Sequence, residues 1–398
     1  MFKVKGQVKK EKGFFAKRKL LIAITTLVGT IIGAGILGIP YVVAKAGFWY
    51  GSFLILLIGI AFVFLNLFVG EVVLRTNGHH QLTGYAEKYL GKNGKRLMLF
   101  AMMINIYGAL IAYLIGEGTT FSAIFGFGHP LVYTLIFFVI VSVIISKGIK
   151  ATGKSELILI SLLVLVVILI GIFSFNSMNA ENFVGFNPLY AFLPYGVILF
   201  AFMASPAMPE LNEVLRGKDK KLMKKAIFIG SIVPIVLYLL FVLTVVGVVG
   251  LNNFESLADN QRIATVALSV FTYPILGKLA NFLAVLSMFT SFLALGLAMV
   301  QMYMFDYGFK HRNALLLTLI LPLVIVLAGI TTFIKVLGFT GAIAGGLDGI
   351  LVVLMFWKAK KLGDRKPEYS LGKNYLIGSV LILMFSLGII YVLWSYLF

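Results

Sequence analysis

The chain has 398 residues, is 60% hydrophobic and 12% charged, and has a mean hydropathy of +1.02. Soluble domains are about 45–50% apolar and about 25% charged, so this balance excludes an ordinary soluble protein and indicates an all-α integral membrane protein. The 398 residues include no cysteine, which excludes disulfides, thiolate metal sites and cysteine nucleophiles.

A spanning helix needs roughly 20 apolar residues. Apolar runs predict eleven spans, at 20–45, 49–74, 97–122, 131–147, 156–175, 190–213, 225–250, 272–304, 313–330, 333–357 and 375–397. The run at 272–304 is longer than one span needs. The basic segment 1–19 reads as a cytoplasmic tail, and 20–398 as a single membrane domain. No small-x-small cleavage pattern follows the first run, which therefore reads as a retained span.

The formal net charge is +19. With a cytoplasmic N-terminus, the segments 1–19, 75–96, 147–154, 216–225, 310–312 and 358–373 hold 30 of the 34 Lys and Arg residues. Every loop then obeys the positive-inside rule, and the C-terminus lies outside. Charge that follows topology in this way speaks against nucleic-acid binding. The outer stretch 250–272, containing NNFESLADNQRIA, is expected to form a short surface helix.

The first span carries GTIIGAGILGIP at 29–40, with four glycines and Pro40. The sixth carries FAFMASPAMPELNE at 200–213, with Pro206 and Pro209. Glycine and proline cost about 1 and about 3 kcal/mol in a helix interior, so both spans are expected to be interrupted at mid-membrane. Interruptions in corresponding spans of two halves point to a transporter binding site. Freed backbone groups persist in a bilayer only where they line a cavity, and a half-helix N-terminus attracts a carboxylate. The alternative for Gly29 and Gly33 is close helix packing.

At these residues the chain resembles a known family. GTIIGAGILGIPYVVAKAG, YGALIAYLIGEG (107–118), GVILFAFMASPAMPELNE (196–213) and TSFLALGLAMVQMYMFDY (290–307) resemble, in order, the first, third, sixth and eighth helices of the amino acid/auxin permease family. That family belongs to the amino acid–polyamine–organocation superfamily, and the last stretch is closest to bacterial aromatic amino acid permeases. The resemblance implies a leucine-transporter-like fold of two inverted five-helix repeats, about 20–175 and 190–357. Helices 1 and 6 would be discontinuous, an extra helix would lie at 375–397, and a central site would work by alternating access.

The resemblance also implies site residues. Amides at Gly33, Ala34 and Gly35 would meet a substrate carboxylate, with Ile36 a further pocket contact. Carbonyls near Phe200, Ala201 and Ala204 would take its ammonium. Tyr107, Phe202, Met203 and Ser205 would line the pocket. A Na⁺ site would use Gly29, Ile32, Ser287, Thr290 and Ser291. Spacing alone places Ser287, Thr290 and Ser291 on one helix face; the alternative is bonding to their own helix backbone. A lysine that replaces sodium in some proton-coupled relatives aligns near Leu163, where there is no basic residue. Relatives with an Asn at the position of Gly29 keep proton coupling open.

Acids inside spans are expensive and functional by default. Asp348 lies within the tenth span, and Glu210 beside the second break; both are candidates for a proton or gating role. Glu71, Glu117 and Asp306 lie nearer predicted span ends. His79, His80, His129 and His311 fall in loops or at span ends, so no His-based intramembrane enzyme site is available. The reading is a secondary transporter of a neutral L-amino acid, large apolar or aromatic, coupled to Na⁺ or H⁺. It has no cofactor, its partners are the substrate and the bilayer, and a monomer suffices. A His often precedes the helix 6 proline in aromatic permeases, whereas Ser205 stands here. An uncoupled facilitator or exchanger and a channel-like protein share the same spans.

Overall fold

The computed structural model describes residues 18–78, 80–148, 153–183, 185–271 and 274–397. The side chains of 153–160, Leu163, Pro274, Phe305, Asp306, 396 and 397 are outside this description, as are most of the expected N-terminal tail and His79. Among the described residues the chain is helical throughout.

The chain opens with α1 (Arg18–Ile31) and α2 (Gly35–Ala46), two apolar pieces bent by 53° at a short break. Next come α3 (Phe48–Arg75), α4 (Leu82–Phe125), α5 (Pro130–Ser146) and α6 (Gly153–Ser174). A second interrupted pair follows, α7 (Leu193–Phe202) and α8 (Ala207–Val214). The rest is α9 (Met223–Ser256), α10 (Ala264–Phe271), α11 (Pro274–Tyr307), α12 (His311–Leu327), α13 (Phe333–Thr340), α14 (Gly346–Leu362) and α15 (Tyr375–Leu397). A π-helical turn, Gly341–Gly345, joins α13 to α14. Seven helical segments are long and apolar enough to cross a membrane, and α1 with α2 makes an eighth as a bent pair. Pro130–Ser146, Val164–Ser177 and His311–Leu327 are shorter apolar helices.

Helix contacts put the interrupted pieces at the centre. α2 packs on α7 and α9, α3 on α9, and α4 on α11, α13 and α14. Two of these contacts demand glycine. A Cβ on Gly341 would come within 1.9 Å of the Gly196 carbonyl oxygen, so α7 and the π turn meet backbone to backbone. A Cβ on Gly35 would lie 2.6 Å from the Ala201 Cα, so α2 and α7 also touch through their main chains.

The structure corrects three expectations about loops and ends. The stretch 250–272 is a short surface helix only over 251–256, where Asn252, Asn253 and Ser256 are exposed. α9 continues to Ser256 past a kink at Gly250, and Ala264–Leu268 of α10 are buried against α11, α9, α2 and α4. The apolar run ATVALSVF drives that burial. The segment 75–96 is largely helix, the first part of α4, kinked at Gly91 where φ is 76°. Glu117, placed near a span end from sequence, is fully buried.

The charged segments gather at two opposite ends. At the basic end Glu71 is fully buried and binds Arg75 at 2.8 Å and Lys360 at 2.5 Å, and accepts from the Leu371 amide at 2.8 Å. The stretch after α14 is thus strapped across the end of α3, helped by Tyr369 donating to the Leu67 carbonyl. Asp364 pairs with Lys88 and accepts from the Asn77 amide, and these bonds hold its carboxyl below the usual carboxylate range. At the other end Lys45 and Arg262 both pair with Glu255, and Arg262 also with Asp259. Two of the four cations outside the positive-inside pattern are therefore neutralised locally.

Removing one partner of a buried ion pair leaves uncompensated charge, so Glu71→Gln is expected to cost about 3 kcal/mol, read as a lower thermal-unfolding midpoint in detergent. A lowered carboxyl pKa contributes stability above its ordinary value and loses it as pH falls through the lowered one. Hydrogen exchange of the 363–371 strap should therefore rise in that acidic window, and Asp364→Asn should abolish the pH dependence.

Candidate functional site between the two broken helices

The first break covers residues 32–34, between α1 and α2. α2 begins at Gly35 with no side-chain cap and no acid in its first turn. The first amides of a helix have no intrahelical acceptor. The Leu37 amide turns back to the Ala34 carbonyl at 3.0 Å, and the Gly33 amide to Ile31 at 3.0 Å. The amides of Ala34, Gly35 and Ile36 make up the positive end of an uncapped helix.

The second break covers residues 203–206, between α7 and α8. Met203 is extended, with φ −63° and ψ 120°. Pro206 and Pro209 stand four residues after Phe202 and Ser205, so both carbonyls lose their normal helical donor. Ser205 recovers one from the Met208 amide at 3.2 Å. The Phe200 and Ala204 carbonyls accept from Met203 and Ala207. Of the carbonyls expected to face a ligand, Phe200, Ala201 and Ala204 thus each have a donor already. The Phe202 carbonyl, which sequence reading passed over, has none through its helix.

One side chain ties the breaks together. The buried Tyr238 hydroxyl of α9 shares its hydrogen between the Ile31 carbonyl (2.9 Å) and the Ala201 carbonyl (2.8 Å). These are the last turns of α1 and α7. The second break also meets α14, because the Ser205 hydroxyl donates to Asp348 at 2.5 Å with both residues buried. Asp348, unexplained by sequence, is therefore a neighbour of the broken sixth span. Glu210 lies exposed in the first turn of α8.

Among the aromatic residues, the Tyr107 hydroxyl lies 2.7 Å from that of Tyr303 and donates to the Leu317 carbonyl at 3.1 Å. Tyr113 is the α4 tyrosine that reaches the first break, its hydroxyl 3.7 Å from where a Cβ on Gly33 would sit. Phe202 packs between Phe62 and Tyr238, at centroid distances of 6.1 and 5.0 Å, and is part of the core. Met203 packs beside Gly345 of the π turn.

On α11, Ser291 lies beside Tyr113, which links this face to the first break. The Thr290 hydroxyl donates to the Leu286 and Ser287 carbonyls, both at 3.1 Å. That is the helix-backbone alternative, though a donating hydroxyl keeps lone pairs for a cation. Gly29 lies in the last turns of α1, and the Ile32 amide donates to Val28 within the break.

Beside the first turn of α2 is a cavity of about 30 Å³, bordered by Ile36, Leu37, Val166, Phe241, Thr265 and Ala284. It has room for about one water, so this flank of the site is closed. A cleft of about 520 Å³ opens at the basic end, lined by Thr76, Asn212, Arg216, Lys220, Arg365 and Glu368. It is the larger space but contains neither break, so the freed backbone groups single out the first location.

Tyr238→Phe removes the donor shared by both breaks and leaves the buried Ala201 carbonyl without it, a cost of about 1–3 kcal/mol. The expected result is a lower unfolding midpoint in detergent and reduced transport of whichever amino acid the wild type carries.

Comparison with known proteins agrees with this architecture. The tryptophan/tyrosine permease family model matches residues 16–395. Tyrosine-specific transport system 1 of Haemophilus influenzae is 26% identical over 372 residues, which cover 89% of this chain and 92% of that protein. Glutamine transporter 2 of Aliivibrio fischeri is 25% identical over 342 residues, covering 82% and 85%. Among solved structures, MhsT in complex with L-phenylalanine matches with a TM-score of 0.64 and 17% identity, over 95% of this chain and 98% of that one. That likeness is one of fold. The chain belongs to the tryptophan/tyrosine permease family, whose members are membrane transporters and not enzymes.

Proposed function

We propose that the chain is a secondary active transporter that carries a neutral L-amino acid, large apolar or aromatic, across the cytoplasmic membrane by alternating access. The observation that carries this reading is the meeting of two interrupted helices on one buried hydroxyl, Tyr238, beside an uncapped helix N-terminus. An α-amino acid offers a carboxylate to the amides at Ala34, Gly35 and Ile36, next to Gly33. Its ammonium goes to carbonyls of the second break, among which Phe202 lacks a helical donor. Tyr113 and Ser205 border the same space.

Family membership and the names of the relatives support an amino acid substrate. The relatives' substrates, tyrosine and glutamine, and the L-phenylalanine of the similar structure are neutral. In the proposed arrangement the three shorter apolar helices also cross the bilayer, giving eleven spans. These form two inverted repeats, about 20–175 and 190–357, with α15 outside them. The basic end faces the cytoplasm with the N-terminus, the C-terminus is outside, and a monomer suffices. The amino acid/auxin permease name remains an expectation from the resemblance.

Coupling is to Na⁺ through Gly29, Ile32, Ser287, Thr290 and Ser291, or to H⁺ through a buried acid such as Asp348, with Glu210 a candidate for gating. Uptake of labelled amino acids into proteoliposomes, with Na⁺ and H⁺ gradients imposed separately, tests both statements. One gradient should drive concentrative uptake of a neutral L-amino acid. Equilibrative uptake under either gradient identifies an uncoupled facilitator or exchanger, and transport of no amino acid overturns the reading. If Na⁺ drives uptake, Thr290→Ala should abolish that dependence; undiminished dependence removes Thr290 from the ion site.

A further inference from the structure

Among the described residues three acids are buried in the helical bundle: Glu71, Glu117 and Asp348. Glu71 is paired with Arg75 and Lys360, and Asp348 accepts from Ser205. Glu117 differs from both. It is fully buried, and neither of its carboxyl oxygens has a hydrogen-bond partner among the described residues. It stands one helical turn beyond Tyr113, on the same face of α4. Tyr113 is the residue whose hydroxyl reaches Gly33, so the orphan acid is one turn along α4 from the tyrosine that borders the first break.

Among the described residues, no hydrogen bond reaches this carboxyl. The adjacent Gly116 meets Met288 of α11 and Phe333 of α13, and Gly118 meets Thr134 and the Pro130 carbonyl of α5. The Thr134 hydroxyl is already engaged with the Leu114 and Pro130 carbonyls. The cations that α11 and α13 carry nearest this end, Lys278 and Lys335, are exposed. On α14, Asp348 is bonded to Ser205 instead, and α10 carries no charged residue. The titratable neighbour on its own face is Tyr113. A carboxyl inside a spanning segment is costly to charge and functional by default.

We propose that Glu117 is a proton-carrying site of the transport cycle. It is protonated while its face of α4 is sealed, and it releases the proton when that face opens to water. In the release step the carboxyl O–H bond breaks, the proton passes to water, and the carboxylate is reprotonated from the opposite side. No other bond changes. This rests on the transporter reading and assigns H⁺ as the coupling ion.

The test uses the full-length protein in proteoliposomes with labelled L-tyrosine, L-phenylalanine or L-glutamine, whichever the wild type takes up. An inward H⁺ gradient should drive accumulation by the wild type. Glu117→Gln, which mimics the neutral acid permanently, should lose that accumulation yet keep counterflow exchange at fixed pH. Glu117→Asp, which retains an acid, should restore accumulation. Independently, the infrared spectrum of the wild type should contain a protonated-carboxyl carbonyl stretch that is missing in Glu117→Gln. Gradient-driven accumulation by Glu117→Gln equal to wild type overturns the proposal, as do identical carbonyl-stretch regions. Absence of any exchange by the wild type counts against the transport reading, and the infrared comparison still decides whether Glu117 carries a proton.

Discussion

Backbone polar groups cannot be left bare in an apolar interior, and this chain breaks two of its central helices there. The Tyr238 hydroxyl resolves much of that conflict by donating to the Ile31 and Ala201 carbonyls at once. The contact is possible because α2 and α7 approach through Gly35 and Ala201 without intervening side chains. On the far side of the second break, the Ser205 hydroxyl is held by the Asp348 carboxyl of α14. What remains unsatisfied is the N-terminal turn of α2 and the Phe202 carbonyl, a donor set and an acceptor placed between the two breaks. That leftover pair has the polarity of an amino acid backbone reversed.

The existence of the breaks was legible because their causes are local. Glycines at 29–38 and prolines at 206 and 209 weaken a helix wherever it lies. Which side chains face the breaks was not legible. Tyr107 and Tyr113 lie on one helix six residues apart, and only its rotation against α11 decides which reaches Gly33. Tyr238 sits in a helix apolar on nearly every face, so periodicity does not reveal its direction. The Ser205–Asp348 bond joins residues 143 apart in sequence. α10 was misplaced because its polar flank, NNFESLADNQR, outweighed the buried run that follows. Gly35 illustrates a dual reading, since its amide belongs to the positive helix end while its missing Cβ makes room for α7.

The two ends of the bundle are clamped by charge in different ways. At the basic end Glu71 gathers Arg75, Lys360 and the strap after α14. At the other, Glu255 holds Lys45 of α2 and Arg262 close to α9. The second clamp acts directly on one half of the first broken span.

The central claim is that a substrate sits between the two breaks. An experimental structure of the protein with a transported L-amino acid bound tests it most directly. The account predicts the carboxylate against the Ala34, Gly35 and Ile36 amides and the ammonium against carbonyls of residues 200–205. A ligand bound elsewhere, such as in the cleft lined by Arg216 and Arg365, with the Tyr238 junction unoccupied, would contradict it.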